Sequence, residues 1–502
     1  TALQQIAAIE WLPEWGKERI TTMISNRPDW CISRQRTWGV PIPLLIHRQS
    51  NALHPDTLTI IDKVADQVAE QGIEAWFDIA IDDLINDGDD YRKLTDVLDV
   101  WFDSGVSHYA VLAQHPALQY PADLYLEGSD QHRGWFQTSL LSSVAMHGVA
   151  PYKTVLTHGF TVDAKGHKMS KSLGNVIAPD KVMKTLGADV LRLWAASTDY
   201  SSEMTVSDEI FKRSADVYRR IRNTARFLLA NINDFTLKNA LAHNELLALD
   251  GWLIDAAYSA QLEIQHAYDK YQFHIALQKI HHFCSITLGG FYLDIIKDRQ
   301  YTCQVNSCAR RSAQTAMYHV LEALVRWIAP ILCFTADEIW QYMPERKNES
   351  VHLTTWYQSL FSVHTLHNIS PTDWQQIILI RDAVNKEIEQ QRNANKLGSG
   401  LAAEVTLYAN EAITKVLKKF ADELRFVFIT SAANVLPESK KTTRAITTDM
   451  VGLAIEVVAS QHTKCTRCWH RLANVGSHSM HPELCQRCVT NINGKGEQRY
   501  YA

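Results

Sequence analysis

This sequence predicts a multidomain protein of the α/β and α classes, in which an α/β layer precedes a helical bundle and a small cysteine-rich tail. From Trp30 to about Ser197, apolar runs alternate with glycine-rich turns and helical stretches, which is typical of an α/β layer. From Asp208 to Trp340, the apolar residues recur at spacings of three and four, which indicates packed helices. The 502 residues exceed the size of one hydrophobic core, so three or four domains are expected.

Changes in these patterns divide the chain into five segments. The first segment carries a short helical pattern but no core of its own, and a polar, acidic stretch inside the α/β layer is interpreted as an insertion. The predicted segments are residues 1–28, residues 29–205 with the insertion at 47–94, residues 206–360, residues 361–460 and residues 461–502.

Shorter patterns predict individual elements in the C-terminal half. Residues 404–408 and 454–458 predict two strands of a small α+β unit, and residues 373–395 predict a charged helix. Thr335 followed by Glu338 predicts a capping box that opens the last helix of the bundle.

Composition excludes several classes of protein. With 46% hydrophobic and 21% charged residues, the chain is not largely disordered, collagenous or a disulfide-dense miniprotein. The net charge of −5 argues against coating nucleic acid through bulk charge, although a local basic face remains possible. The longest apolar run, residues 318–334, is interrupted by Glu322 and Arg326, so no membrane span is expected.

The nine cysteines are distributed unevenly. Secreted scaffolds spread paired cysteines across the fold, whereas four cysteines crowded into the tail favour a reducing compartment and one metal site. We therefore predict a cytoplasmic protein, and we expect a monomer. The remaining five cysteines are expected in the core: Cys31, Cys284, Cys303, Cys308 and Cys333.

The tail contains two C-x-x-C pairs, Cys465 with Cys468 and Cys485 with Cys488. Each pair directs two thiolates at one point, and two pairs complete a tetrahedral sulfur site that suits one Zn²⁺ ion. A closed shell of four thiolates leaves no position for a substrate, so the zinc is expected to be structural. A redox dithiol pair and an iron–sulfur cluster are the alternatives, and nearby histidines such as His470 are interpreted as surface residues.

A lysine-rich loop is the most specific motif of the α/β layer. Residues 168–172 read Lys-Met-Ser-Lys-Ser and follow a turn at residues 163–166. A mobile loop with two lysines and two hydroxyls is suited to holding a polyphosphate and to neutralising charge during nucleotidyl transfer. A solvated basic loop would be the alternative if only the two lysines were present.

This loop resembles the KMSKS signature of class I aminoacyl-tRNA synthetases. Four further segments resemble those of isoleucyl-tRNA synthetases: residues 30–39, residues 99–105, residues 126–136 and residues 291–299. The resemblance extends from Trp11 to Cys488 and implies the second half of a Rossmann-like catalytic fold, a helical anticodon-binding domain, a C-terminal helical or α+β unit and a zinc-binding tail. Residues 1–28 then correspond to the exit of an inserted editing domain.

Candidate ligand-binding residues follow the predicted strand at residues 124–126, at the sheet edge where open parallel sheets bind nucleotides. A carboxylate at Glu127 is suited to an ammonium group and one at Asp130 to ribose hydroxyls, while Gly128 permits close backbone approach. The resemblance implies that Glu127 and Gln131 bind the aminoacyl-adenylate. It also implies that two tryptophans, Trp101 and Trp135, wall the aliphatic pocket; ordinary core packing is the alternative for both.

The next predicted strand, residues 154–157, ends at His158 and Gly159, which by resemblance read adenine; a structural turn is the alternative for His158. Lys171 and Lys168 are the candidate catalytic lysines and, with Ser170, the candidate ATP contacts. The implied reaction is in-line attack of the isoleucine carboxylate on the α-phosphate of ATP, bound with Mg²⁺, followed by acyl transfer to tRNA(Ile).

A basic stripe supplies the candidate tRNA contacts. The side chains of four residues share one face of a predicted helix: Lys212, Arg219, Arg222 and Arg226. A solvated helix face is the alternative, and the resemblance favours RNA.

The H-x-G-H motif, which the resemblance also implies, does not occur in this sequence. We therefore expect the chain to be the C-terminal portion of a longer isoleucine–tRNA ligase and to be inactive alone. A valyl-type synthetase and a non-catalytic tRNA-binding paralogue are the alternative functions.

Overall fold

The computed structural model describes residues 1–27, 29–36, 38–346, 348–363 and 366–502. Pro28, at the end of the first predicted segment, and Thr37, in the motif at residues 30–39, lie outside the described residues. The chain forms two compact units, an N-terminal unit of residues 1–176 and 200–206 and a C-terminal unit of residues 177–199 and 207–502. Among the described helices, none has the length and apolar character needed to cross a membrane.

In its described residues, the N-terminal unit combines short strands with six α-helices. Its helices are α1 (Ala2–Ala8), α2 (Trp15–Ser25), α3 (Thr57–Gln71), α4 (Ala75–Asp78), α5 (Val100–Gly105) and α6 (Trp135–His147). Its strands are β1 (Glu10–Leu12), β2 (Ser33–Arg34), β3 (Leu45–His47), β4 (Tyr91–Lys93), β5 (Val97–Leu98), β6 (Ala122–Gly128), β7 (Tyr152–His158), β8 (Thr161–Val162) and β9 (Met204–Thr205).

A parallel three-stranded sheet in the order β1-β7-β6 forms the centre of this unit. The buried Tyr125, Tyr152 and Val155 of these strands pack with Phe136 and Leu140 of α6. Gly128 at the end of β6 is in register with His158 at the end of β7. Residues that follow these two strands therefore lie at one sheet edge.

The insertion has its own core. Strands β3 and β4 pair antiparallel and bring its two ends together, with Leu45 opposite Lys93. Between them, Ile60 and Val64 of α3 pack on the fully buried Trp76, whose indole nitrogen donates to the carbonyl of Leu94. The acidic stretch is thus a small folded appendage.

The C-terminal unit is mainly helical. Its helices are α7 (Pro179–Leu186), α8 (Ala188–Ser197), α9 (Asp208–Asn231), α10 (Ala248–Asp269), α11 (Phe273–His282), α12 (Leu293–Thr302), α13 (Cys308–Ile328), α14 (Cys333–Gln341), α15 (Pro371–Asn393), α16 (Glu411–Lys418), α17 (Leu424–Phe428) and α18 (Gln486–Asn493). Its strands are β10 (Ala403–Ala409), β11 (Ala432–Pro437), β12 (Ile446–Thr447) and β13 (Leu453–Ala459).

One charged pair lies fully buried in the core of the bundle. Both Asp250 of α10 and Arg299 of α12 have no exposed side-chain surface, and Arg299 Nη1 donates to Asp250 Oδ2 at 2.7 Å. The Asp250 carboxylate also accepts hydrogen bonds from Tyr292, at 2.6 Å, and from Ser312. Their mutual pairing is what makes two buried charges tolerable, because an unpaired one would be strongly destabilising.

The predicted division at residue 205 differs from the division into compact units. Helices α7 and α8 belong to the C-terminal unit because α8 is bound to the bundle: Arg192 donates to the carbonyls of Pro330 and Ile331.

The prediction of a capping box at Thr335 and Glu338 is wrong. Helix α14 begins at Cys333, and Asp189 of α8 accepts the backbone N–H and the hydroxyl of Thr335.

The small α+β unit forms as its patterns predict. Strands β10 and β13 pair antiparallel in a four-stranded sheet of order β11-β10-β13-β12. The predicted charged helix is α15, which begins at Pro371 behind a capping box formed by Ser370 and Asp373.

The expectation of five core thiols is only partly met. Cys284 and Cys303 are buried and Cys333 is half-buried, whereas Cys31 and Cys308 are exposed. Cysteine packs readily as a small hydrophobic residue, but sequence alone did not distinguish the surface positions.

Replacing Asp250 by asparagine should lower the free energy of unfolding by about 3–5 kcal/mol, because Arg299 would keep a buried charge without its carboxylate. Urea unfolding of the chain measures the change. Asp269→Asn, at the exposed end of the same helix, is the matched control and should leave stability nearly unchanged. Equal curves for Asp250→Asn and the wild type would contradict the proposed importance of the pair.

Stability should fall as the pH is lowered from about 6.5 to 4. Burial, and secondarily His243, lowers the pKa of His319 to about 4, and its Nδ1 lies 2.7 Å from the Tyr357 hydroxyl. Since the unfolded chain binds the proton near pH 6.5, the neutral ring stabilises the fold above that pH by up to about 3 kcal/mol, and this contribution is lost on acidification. His319→Gln should flatten the pH dependence of urea unfolding, and the exposed His266→Gln should not.

Candidate active site and metal centre

The ends of β6 and β7 bring the first group of predicted site residues together. Glu127 and Gly128 end β6, and the Glu127 side chain is exposed. A Cβ on Gly128 would lie 2.9 Å from Asp130 Oδ1 and 3.5 Å from His158 Cε1, so both side chains border this glycine. The Glu127 and Asp130 carboxylates and the His158 imidazole therefore lie around the buried Gly128 at the end of β6.

Gln131 and Trp135 have structural partners at the start of α6. Gln131 Oε1 accepts the backbone N–H of Trp135 at 3.0 Å, and its amide donates to Asp130 Oδ2 at 3.4 Å. The Trp135 ring stacks on Tyr125 at 4.0 Å, and its indole nitrogen donates to the carbonyl of Ser104 at 3.0 Å. Trp135 thus joins α5, α6 and β6, which fixes the ring in place.

Trp101 lies beside the turn at Gly134 that precedes α6, and 41% of the residue is exposed. A Cβ on Gly134 would come within 2.8 Å of Trp101 Cζ3 and 2.7 Å of Gln131 Oε1. Glycine at position 134 is therefore what allows the ring to lie over this turn. The backbone of Trp101 donates to the capping carboxylate of Asp99 at 3.1 Å.

Asp99 also joins two of the sequence motifs. Its carboxylate accepts hydrogen bonds from the indole of Trp30 at 3.1 Å and from the guanidinium of Arg34. Asp99 is not among the predicted site residues; its position directly before the Trp101 helix was the available signal.

Beyond β7 the backbone approaches a neighbouring segment closely. A Cβ on Gly159 would lie 2.0 Å from the carbonyl oxygen of Ser202, so only glycine fits there. His158 Nδ1 lies 2.8 Å from the carbonyl oxygen of Gly159. The Lys168 ammonium sits 4.5 Å from the centroid of the Phe160 ring, a cation–π contact. The first lysine of the loop is thus held near the end of β7.

Two residues that the sequence analysis missed brace the lysine loop. Asn175 accepts the backbone N–H of Ser170 at 3.0 Å and donates to Asp163 Oδ2 at 2.9 Å. Hydrogen bonds from the Asn175 amide and the backbone N–H groups of His167 and Lys165 lower the pKa of Asp163 to about 2. Lys171 lies on the exposed part of this braced loop. The Asp-x-x-Gly turn before the loop was the signal for the brace.

The basic stripe lies on α9, in the C-terminal unit, and all four of its side chains are exposed. At about 100° per residue the four positions span about 80° of the helix, which is one face. Arg219 is paired with Asp216. Arg222 and Arg226 line a groove of about 610 Å³ with Tyr342.

The four tail cysteines form one cluster. All four are buried, and their sulfur atoms lie within 4.8 Å of one another, with 3.7 Å between Cys468 and Cys485. A tetrahedron of sulfurs at zinc–sulfur distances of about 2.3 Å requires separations of nearly 4 Å, so the donor set fits Zn²⁺. Four sulfurs close the shell, which makes the ion structural.

Ion pairs attach this zinc module to the bundle. Asp298 of α12 accepts hydrogen bonds from Arg487 at 2.7 Å and from Arg499, and Arg487 also reaches Glu497 at 3.0 Å. Burial alone would raise the pKa of Asp298, but the two guanidinium groups outweigh it and hold that pKa well below its usual range. His470, expected on the surface, is buried against Phe426 and is not in the cysteine cluster.

Family models match three successive parts of the chain. Residues 1–207 match the family described as tRNA synthetases class I (I, L, M and V), residues 250–407 the anticodon-binding domain of tRNA ligase, and residues 464–491 the zinc finger found in FPG and IleRS. The chain therefore belongs to the class I aminoacyl-tRNA synthetases, which confirms the predicted fold class and the structural zinc.

Within that class, the family is that of the isoleucine–tRNA ligases. Over its whole length the chain is 57% identical to the isoleucine–tRNA ligases of Methylococcus capsulatus and Nitrosococcus oceani, and 54% identical to that of a Marinomonas species. The chain spans about half, 54%, of the length of these curated relatives.

Cys485→Ser should abolish stoichiometric zinc binding, because a three-sulfur site no longer closes the tetrahedron. Metal analysis of the purified chain should give one zinc per wild-type molecule and far less in the variant. Cys31→Ser, which removes an exposed thiol outside the cluster, should retain the full zinc content. A variant that keeps one zinc per chain would refute this ligand set.

Proposed function

We propose that this chain carries binding surfaces of an isoleucine–tRNA ligase, which activates isoleucine with ATP and transfers it to tRNA(Ile). The observation that carries the proposal is the meeting of Glu127, Asp130 and His158 with the Lys168 end of the lysine loop at one edge of a parallel sheet. Open α/β sheets bind nucleotides at this edge.

In the amino-acid site, the exposed carboxylate of Glu127 accepts a hydrogen bond from the substrate ammonium group. Trp101 provides an apolar wall for the aliphatic side chain, since its ring is partly exposed and held by its fit against Gly134. Trp135 contributes through the remaining exposed part of its stacked ring, and Gln131, whose Oε1 accepts the Trp135 backbone N–H, binds the adenylate beside it.

In the nucleotide site, the Asp130 carboxylate accepts hydrogen bonds from the ribose hydroxyls. The backbone at His158 and Gly159, beside Gly128, lies against the adenine ring. Lys168, Lys171 and the Ser170 hydroxyl contact the phosphates of ATP, which binds with Mg²⁺ as the substrate. The hydrogen bond between Asp163 and Asn175 holds the lysine loop that carries these groups, which lowers the conformational entropy lost when ATP binds.

The chemistry is in-line attack of the isoleucine carboxylate on the α-phosphate, with pyrophosphate leaving. Negative charge then shifts onto the leaving phosphates, and the two lysines stabilise it more in the transition state than in the ground state. The protein makes no covalent bond to the substrate; it supplies positioning and charge.

The tRNA partner binds the helical unit through the stripe of Lys212, Arg219, Arg222 and Arg226. Arg222 and Arg226 support this assignment best, because they line a groove together with an exposed aromatic ring, Tyr342. The protein acts as a monomer in the cytoplasm, and its nine unpaired cysteines fit a reducing compartment.

Substitutions in the whole ligase that contains this chain test the site. Glu127→Gln should raise the KM for isoleucine about 10- to 100-fold, because one charge-assisted hydrogen bond is lost. Lys171→Ala should lower kcat for isoleucine-dependent pyrophosphate exchange about 100-fold or more with little change in that KM. Lys165→Ala, an exposed lysine of the preceding turn, is the control and should retain activity.

The isolated chain should bind tRNA(Ile) but show no isoleucine-dependent pyrophosphate exchange, because it has no H-x-G-H motif. Robust exchange by the purified chain would refute this expectation. In the whole ligase, exchange driven better by valine than by isoleucine would favour the valyl-type alternative. Absence of exchange with either amino acid would favour the non-catalytic paralogue.

A further inference from the structure

His132 is a fully buried histidine beside the proposed nucleotide site. It belongs to the short 3-10 helix Ser129–Arg133, which follows β6 and also carries Asp130 and Gln131. The Asp130 side chain is exposed at the sheet edge, whereas His132 has no exposed surface. Burying a polar ring costs free energy unless its nitrogens find partners, and the proposed function assigns this ring no role. The contacts of the imidazole therefore indicate what it does.

One ring nitrogen of His132 is bonded to the turn itself. Nδ1 lies 3.1 Å from the carbonyl oxygen of Ser129, and because a carbonyl only accepts, Nδ1 carries the proton and donates. Burial lowers the pKa of His132, so the ring is neutral at pH 7 and Nε2 carries no proton. Ser129 and His132 flank Asp130 and Gln131 in the chain. Their hydrogen bond therefore closes the turn around both ligand-contact residues.

The ring of His132 packs on the N-terminal elements of its unit. A Cβ on Gly16 of α2 would lie 3.0 Å from Nε2, so the backbone of this helix packs directly on the imidazole. The ring centroid lies 5.4 Å from that of Trp15 and 6.1 Å from that of Trp11 in β1, and Phe136 of α6 meets it edge-on at 5.4 Å. The position of the turn thus depends on β1 and α2 as well as on β6.

Apolar packing alone does not account for a histidine at this place. Within the described residues, Nε2 has no hydrogen-bond partner, and the one hydrogen bond of the imidazole goes to Ser129. A phenylalanine ring would fill the same space without desolvating two nitrogens. The polar contribution of His132 is therefore confined to holding the turn that carries Asp130.

We infer that His132 is a positioning residue for ATP binding, which holds the Asp130 carboxylate where the ribose hydroxyls meet it. The Nδ1–H group fixes the conformation of the turn, and the ring fixes its place against Trp11 and Gly16. A small displacement of Asp130 weakens its hydrogen bonds to the ligand, because such bonds depend steeply on geometry. The inference rests on the proposed function, which assigns Asp130 to the ribose.

The test measures isoleucine-dependent pyrophosphate exchange by the whole ligase that contains this chain, with the ATP concentration varied. His132→Phe keeps the ring and loses the donor, so it should raise the KM for ATP about 5- to 10-fold with little change in kcat. His132→Asn places an amide N–H where Nδ1–H lies and should restore most of the affinity. His132→Gln, whose amide lies one bond further out, should not restore it.

A second buried histidine of the same unit provides the matched control. His108 also has no exposed surface, and its Nε2 lies 3.1 Å from the hydroxyl of Ser142, away from the turn of Asp130. His108→Phe should keep the wild-type KM for ATP even where urea unfolding shows a loss of stability. A merely structural role of His132 would make His132→Phe behave in the same way, and that result would overturn the inference.

A double-mutant cycle separates this inference from the proposed function. If His132 acts through Asp130, adding His132→Phe to Asp130→Ala should raise the KM for ATP no further, and independent effects would overturn the inference. A wild-type KM in Asp130→Ala would overturn the ribose assignment and the inference with it. If His132→Phe fails to fold, Gly16→Ala, whose Cβ would press on Nε2, should raise the same KM, and an unchanged value would overturn the inference.

Discussion

The carboxylate of Asp298 in α12 binds two guanidinium groups of the tail. One belongs to Arg487 in α18 and the other to Arg499, which follows that helix. Glu497 balances the second positive charge, so the cluster is neutral although it is largely buried. Because a buried charge without a partner is costly, these ion pairs stabilise the observed position of the zinc module on the bundle.

The zinc site and the ion pairs of Asp298 have different roles: the first folds the tail and the second attaches it to the bundle. Four thiolates fold a tail that is too short for a core of its own, and the ion pairs then orient the folded tail. The chain end adds a further attachment. Glu423 accepts the backbone N–H groups of Tyr500, Tyr501 and Ala502, at 2.9 to 3.0 Å. Metal, charge and backbone hydrogen bonds together make the tail a rigid part of its unit.

Sequence predicted the neighbours that share a sheet edge, because parallel strands in register bring their ends together. Glu127, Asp130 and His158 follow this rule. It also predicted the cysteine cluster, since paired C-x-x-C turns have few other geometries. It did not predict Asp189, which caps α14 from 146 residues away, because the sequence carries no signal of that contact. The hydrogen bonds of Asp163 and Asn175 were not predicted although they are local, because the recognisable motif of the loop contains the lysines and not these two residues.

The antiparallel pairing of β3 with β4 has a consequence for how this chain tolerates change. Leu45 and Lys93 face each other across one strand spacing, about 5 Å, so the appendage between them enters and leaves the unit at a single point. Its buried apolar residues pack against one another around Trp76. The entropic cost of closing a loop grows only slowly with its length, so insertions or deletions within this appendage should be tolerated without a change in the path of the central sheet.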